Sequence, residues 1–247
     1  LILNQSGPTK IGDPMRPLSA LFGTLFSSAG TLADKLRMLR LKTKLARKSI
    51  DAIFSEKETT TISYLEQEGF SETIMNNFFK PFMTGIFLED HLSTSSRMFE
   101  FVFKMFSEGD AAIPAKGMAM IPLQLAASLS CNEVLFKQKV STIEANSVTT
   151  ADGSSYTANY ILIATDQLNS PNADKKTQAK YHAVTNMYFE SGKKPFEMPL
   201  IALNTSSGRL VNNIAVMNRI SSCYSKNGNA LISLSLVGDH SKADETK

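Results

Sequence analysis

Three histidines, two cysteines and the acidic pair Glu89-Asp90 are the side chains in this 247-residue sequence best suited to proton transfer, metal binding or nucleophilic attack. His91 directly follows Glu89 and Asp90 in a turn-like context. There it could act as a general base or be a solvated loop residue. The acidic pair has no partner at a spacing that supports glycosidase-type acid and base work. His91, His182 and His240 make no HxxxH or HExxH pattern, and Cys131 and Cys223 make no CxxC. Neither a zinc or di-metal site nor a disulfide framework is expected, and a reducing, cytoplasmic setting follows. The sequence also lacks a GxSxG elbow and both glycine-rich phosphate cradles, GxGxxG and GxxxxGK[ST]. A nucleotide pyrophosphate therefore finds no helix N-terminus of that kind here. What remains is the stretch AIPAKGMAMIPLQLAASLS, Ala112–Ser130. Its proline-bounded loop, Gly-Met pair and amphipathic helix lead into strand-like sequence, which is how a cofactor-facing loop is often built.

The elements that must position these residues change in texture along the chain. A hydrophobic content of 43% is enough for one sizeable core or two smaller ones. With 26 basic against 23 acidic residues, the net charge of +3 is too small to argue for nucleic acid. No run of about 18 apolar residues marks a membrane span. The sequence starts at Leu1 without methionine or a signal-peptide pattern, and we expect it to be part of something longer.

Leu1–Leu3 reads as a short strand, followed by a polar turn and the helix-breaking Asp13-Pro14 and Arg16-Pro17. Leu18–Ser27 is helix-compatible. Thr31 then caps a basic helix running to Ser49, with Asp34 at the capping-box position. Leu32, Leu36, Leu39 and Ala46 recur near one face of it. Two readings stay open: a membrane-surface helix drawn to anionic lipid, or a solvated charged face over a core stripe.

Thr60–Glu68 should end at Gly69, and Ser71 should cap a helix that Pro81 disrupts. Gly85 breaks the apolar run that follows. A helix beginning in Ser93–Ser96 places Met98, Phe101, Val102, Met105 and Phe106 on one face, expected to be core. Met118–Leu129 reads as one helix. Four short strands should follow, the last, Tyr160–Ala164, buried on both faces. Gln167–Lys180 reads as a linker. Ala183–Phe189, Leu200–Leu203, Leu210–Met217 and Ala230–Val237 read as closely joined, largely antiparallel strands before a polar tail.

The expected fold class is therefore α+β: a mostly antiparallel sheet flanked by helices, interrupted by a helix-plus-β-meander block. Residues 1–112 and 174–247 are assigned to the first unit, and 113–173 to the excursion.

Gly117-Met118, the helix IPLQLAASL, the segment FKQKVSTIEANSVTTADG and the closing YILIATD together resemble the second half of the FAD-binding domain of flavin-containing amine oxidases, phytoene desaturases and protoporphyrinogen oxidases. FFKPFMTGIFLEDHLSTSSRMF is similar to the substrate-domain segment of the latter two. The resemblance covers Ile11–Asp166, and the later strands only by their order. It implies that the excursion is a partial FAD-binding segment and that the remainder is a discontinuous substrate-binding domain.

It further implies that backbone groups of Val140 meet the adenine of FAD, although Val140 also reads as an ordinary meander core residue. Gly117, Met118 and Thr165 become cofactor-side positions, and Phe82, Met83, Ile86 and Phe87 the wall of an apolar substrate cavity. No side chain is singled out as catalytic. The family's N-terminal glycine fingerprint and C-terminal flavin-covering segment are missing from this sequence. The expectation is thus the central, substrate-binding fragment of an FAD-dependent oxidoreductase acting on an apolar or amine substrate. The parent would carry FAD, and the fragment alone would be inactive and without it. The helix at 31–49 would give such a protein peripheral membrane contact. A different class stays open as well: a non-enzymatic α+β module that binds a hydrophobic ligand, a partner or a membrane surface. Oligomeric state is not specified.

Overall fold

The computed structural model of the chain describes residues 1–4, 7–9, 30–129, 134–164, 181–206 and 208–240. The expected breaks at Asp13-Pro14 and Arg16-Pro17, the helix at Leu18–Ser27, the 167–180 linker and most of the tail lie outside these residues. The chain divides into two compact units, Leu1–Gly117 with His182–Lys247, and Met118–Tyr181.

The first unit is α+β. Its helices begin with α1 (Leu32–Ala46), capped by Thr31, whose hydroxyl accepts from the Asp34 N–H in a complete capping box. The basic helix does not continue to Ser49. It ends at Arg47, and Ser49 caps a separate short helix, α2 (Ile50–Ser55). Helix α3 (Thr61–Gln67) is closed by Gly69 at φ 82°, where a residue with a Cβ would be strained.

Ser71 caps α4 (Glu72–Ile74), which runs through a five-residue π-helical stretch, Met75–Phe79, into α5 (Lys80–Phe87). Pro81 therefore does not end the helix as expected. It sits in the first turn of α5, where its missing N–H and fixed φ are tolerated. Gly85 does not break the run either. A Cβ there would lie 2.9 Å from Asn212 Nδ2 and 3.1 Å from Asn213 Nδ2, so its role is close approach to the sheet. Helix α6 (Ser96–Glu108) starts at Ser95.

The helical core is a cluster including Leu41, Leu45, Leu65, Phe70, Phe79, Met83 and Phe99, with T-shaped Phe70–Phe79 and Phe79–Phe99 contacts. Two helix faces differ from expectation. On α1 the buried residues are Asp34, Leu41 and Leu45, whereas Leu32 and Leu36 are 67% and 70% exposed, and Leu39 and Ala46 are exposed too. The recurring leucines are therefore not a core stripe. On α6, Met98 and Phe106 are exposed, while Phe99, Glu100 and Lys104 are buried. A count of apolar residues misplaces that face because two charges are buried in it with partners: Glu100 meets Lys48 and Tyr64, and Lys104 meets Glu108 of the same helix and the Leu45 and Ala46 carbonyls of α1.

The sheet of this unit has six strands in the order β2-β1-β7-β8-β9-β6. They are β1 (Ile2–Asn4), β2 (Gly7–Thr9), β6 (Val184–Ser191), β7 (Ile201–Asn204), β8 (Asn213–Val216) and β9 (Ala230–Val237). Neighbours are antiparallel except β1 and β7, which run parallel with Ile2 opposite Leu203. β2 occupies part of the segment expected to be a polar turn.

The second unit holds α7 (Met120–Ala126) and an antiparallel meander of β3 (Val140–Ile143), β4 (Ser147–Thr150) and β5 (Ser155–Thr157). Helix α7 is shorter than the expected Met118–Leu129. The meander has three strands rather than four. Tyr160–Ala164, expected as a doubly buried strand, forms no strand, and Tyr160 and Leu162 are 93% and 90% exposed. A central strand needs a paired neighbour on each edge. Among the described residues of this unit, none pairs with it.

Candidate functional site

Register determines what the six-stranded sheet presents on each face. Phe189 lies opposite Ile232, and Met187, Leu234 and Ile214 stand in one cross-strand row. The alternate residues form polar rows: Asn186, Ser235 and Asn213, then Tyr188, Ser233 and Ala215. Ser235 Oγ donates to Asn186 Oδ1 at 2.8 Å within the first of these. Since successive side chains of a strand point to opposite faces, one side of the sheet is apolar and the other mixed.

The apolar side bounds a cavity of 670 Å³, lined by Leu1, Leu3, Phe189, Ile214, Ile232 and Leu234 from the strands, and by Pro195 and Phe196 from the loop after β6. Its size falls in the range of small-molecule sites. All of its lining side chains are apolar, so it solvates a hydrocarbon or aromatic group and penalises an unpaired charge.

Helix α5 packs against the other side, because Asn213 meets Gly85 and Asn212 Nδ2 donates to the Pro81 carbonyl at 3.1 Å. Phe82, Met83, Ile86 and Phe87 therefore sit in the helical layer. Met83 is fully buried, Phe82 stacks on Phe78 at 5.4 Å, and Ile86 and Phe87 pack against the core. None of the four contributes to the lining of the 670 Å³ cavity.

A second, polar hollow of 560 Å³ forms where Asn76 of the π-helical stretch and Lys80 approach Arg209 and Asn212. Its groups largely satisfy one another. Lys80 donates to Asn76 at 3.0 Å, and Arg209 to Asn212 at 3.4 Å.

In the other unit, β3 is an edge strand of the meander. The Ala151 N–H donates to the Lys139 carbonyl at 2.8 Å, which makes 139 and 151 a hydrogen-bonded antiparallel pair. The next pair, Val140 with Thr150, is then of the non-hydrogen-bonded kind. Consistent with this, the Thr150 N–H turns to the Ser154 carbonyl at 2.9 Å. The Val140 N–H and C=O accordingly face the open edge, and a bulge between Val140 and Thr142 interrupts the ladder just beyond. An adjacent backbone donor and acceptor on an open edge fit the donor-acceptor edge of an adenine ring.

Gly117 adopts φ 101°, a backbone region that favours glycine, and its N–H donates to the Pro114 carbonyl at 3.0 Å. No atom lies within 4 Å of where its Cβ would be, so the loop surface there is open. Met118 is exposed. Thr165 lies outside the described residues.

The acid-base residues have structural partners. Glu89 is nearly buried, and burial alone would raise its pKa. Hydrogen bonds from the Thr94 N–H and hydroxyl, at 3.0 and 3.1 Å, outweigh that and hold it below the usual value. The neighbouring His91 N–H donates to the same carboxylate at 3.0 Å. His182 Nδ1 lies 3.0 Å from the Leu88 carbonyl, and His240 Nε2 lies 2.9 Å from that of Val237. No cluster of three or more His, Cys, Asp or Glu able to hold a metal exists among the described residues. Cys223 is exposed and free, and Cys131 lies outside the described residues.

Sequence reading missed the sheet lining. Its signal was the alternation in ALISLSLV, where Ile232 and Leu234 alternate with Ser233 and Ser235. That pattern shows one apolar face on one strand. Only the register reveals that neighbouring strands align theirs with it.

Compared with known proteins, residues 4–247 match the profile described as flavin containing amine oxidoreductase. Among curated proteins, none matches the sequence. An oxidoreductase from Methanosarcina mazei shares the fold at a TM-score of 0.67 and 13% identity, over 86% of this chain and 54% of that one. A candidate protoporphyrinogen oxidase from Exiguobacterium sp. 255-15 aligns at 0.60 and 12%, over 99% and 60%. A triple mutant of putrescine oxidase aligns at 0.61 and 12%, over 98% and 58%. The chain thus spans between 54% and 60% of the length of these three structures.

Proposed function

The chain belongs to the flavin containing amine oxidoreductase family, and from that premise we propose that it is the substrate-binding part of an FAD-dependent oxidoreductase acting on an apolar or amine substrate. The observation that carries this reading is the 670 Å³ cavity on the six-stranded sheet, whose lining side chains are all apolar. A bound flavin would supply the redox chemistry, oxidation of a substrate at a C–H beside nitrogen or an alkene.

The chain's own residues bind, orient and exclude water. Phe189, Ile214, Ile232 and Leu234 hold the apolar body of the substrate. Because the lining provides no counter-charge, an amine is accepted there as the free base. Phe82, Met83, Ile86 and Phe87 support the wall from the opposite face of the sheet. In the second unit, the Val140 N–H and C=O take the adenine; Met118, Gly117 at the end of the first unit, and Thr165 are assigned cofactor-binding roles. Contact with a membrane through residues 31–49 would deliver an apolar substrate.

The test is titration of the chain with the neutral, apolar fluorophore N-phenyl-1-naphthylamine. Ile232→Asp places an uncompensated carboxylate in the cavity and should weaken binding about tenfold or more. Unchanged affinity in a variant with a native circular dichroism spectrum would remove the cavity from the reading.

A further inference from the structure

Helix α1 carries its charges in two sets, and the structure separates them. The set toward the protein is neutralised. Lys44 pairs with Glu68 at 2.6 Å, Lys48 with Glu56 at 2.7 Å and with Glu100 at 2.8 Å, and Arg37 lies 3.7 Å from Asp34. Asp34, the helix's one acidic residue, is itself fully buried.

The opposite face is different. At about 100° per residue, Leu32, Leu36 and Leu39 fall within an arc of roughly 60°. Arg40 and Arg47 flank that arc on one side. The three leucines, Arg40 and Arg47 are all exposed. Thr43 extends the row, and its hydroxyl is satisfied by the Leu39 carbonyl at 2.9 Å. No carboxylate pairs with Arg40 or Arg47 among the described residues, and no acidic side chain of α1 lies on this face.

We propose that this face of α1 docks on an anionic lipid bilayer. The leucines enter the acyl boundary, and the flanking guanidinium groups of Arg40 and Arg47 reach outward to headgroup phosphates and carboxylates. The charge pattern selects this occupant. An apolar row edged by the guanidinium groups of Arg40 and Arg47, with no acidic side chain of α1 on it, complements a negatively charged surface with an apolar layer beneath. A second copy of the chain would bring like charges together. The mode is peripheral, since no helix among the described residues is long and apolar enough to cross a membrane. The inference deepens the membrane contact proposed above but does not depend on the substrate cavity.

The experiment is co-sedimentation of the 247-residue chain with vesicles of phosphatidylcholine alone and of phosphatidylcholine with 30% phosphatidylserine, at low and high salt. Wild type should pellet with the mixed vesicles and be released as salt screens the attraction. Arg40→Gln with Arg47→Gln should lower the partition constant about 25-fold, at about fivefold for each charge. Leu36→Ser should lower it at both salt concentrations. Lys44→Gln, which alters a cation already paired, should change it less than twofold. Equal binding to both vesicle types, binding insensitive to Arg40 and Arg47, or no pelleting at low salt overturns the proposal. So does a concentration-dependent dimer, seen by sedimentation velocity, that Leu36→Ser abolishes. The fluorophore titration with Ile232→Asp reads the cavity alone, so failure of either proposal leaves the other's result interpretable.

Discussion

Asp34 shows how one buried carboxylate can fix two chain segments. Its oxygens accept from the Thr31 N–H and hydroxyl at 2.8 and 2.7 Å, and from the Ser71 N–H and hydroxyl at 2.9 and 2.6 Å. The caps of α1 and α4 thereby share one anion. Burial would raise its pKa, but these four donors prevail and lower it from 3.8 to about 2. A carboxyl depressed in the folded state stabilises fully above its unfolded pKa and loses that contribution as pH falls through the folded value. The stabilisation, about 2 kcal/mol, should therefore be complete above about pH 4 and vanish toward pH 2. Asp34→Asn sets an amide donor against existing donors and should cost about 3 kcal/mol in urea unfolding near neutral pH. A wild-type-like midpoint, or an unaltered acid limb, would refute this assignment.

Among the elements, α1, α3 and α6 are joined by polar bonds as well as by packing. Glu100 of α6, 2% exposed, accepts from Tyr64 of α3 at 2.6 Å and from Lys48, just beyond α1, at 2.8 and 3.0 Å. Burial, followed by the Glu100 carboxylate, pushes the Tyr64 hydroxyl far above its ordinary pKa. Burial works against the Lys48 ammonium, but Glu100 and Glu56 prevail and hold its pKa above the usual value. Lys104 reaches the Leu45 and Ala46 carbonyls at 3.0 and 3.2 Å, a cation at the C-terminal end of α1. Removing one partner of such a network strands the others. Glu100→Ala should lose about 3 kcal/mol, and adding Lys48→Met should recover part of it. Strictly additive losses in that double-mutant cycle would show that the two groups are not coupled.

For the molecule as a whole, the two units differ in how much they bury. The first holds the aromatic and aliphatic core, whereas α7 of the second buries no residue and β5 is exposed throughout. Amide exchange should therefore be slowest in α1, α6 and the central strands β8 and β9, and fastest in α7. Equal protection of α7 and α6 would contradict that order.

Local chemistry was legible in the sequence wherever the cause was local. The caps at Thr31 and Ser71 and the helix start within Ser93–Ser96 rest on hydroxyls beside the N–H groups they satisfy, whereas Ser49 and Thr60, which also cap helices, were read as parts of helices. The α+β class and the antiparallel strand succession followed from short connections and periodicity, and the motif order pointed to the family. Burial was decided only by the tertiary structure. A leucine repeat on α1 looks the same whether it meets a core or solvent, and Glu100 and Lys104 look like surface residues until their partners arrive from other helices. Pro81 ends a helix on paper but sits within one after a π-helical stretch. The cavity was hidden for the same reason, since it exists only once distant strands take a register that aligns Phe189, Ile214, Ile232 and Leu234 on one face. Hydrogen bonds between near neighbours can be read along the chain, whereas the environment of a side chain is set by residues far away in it.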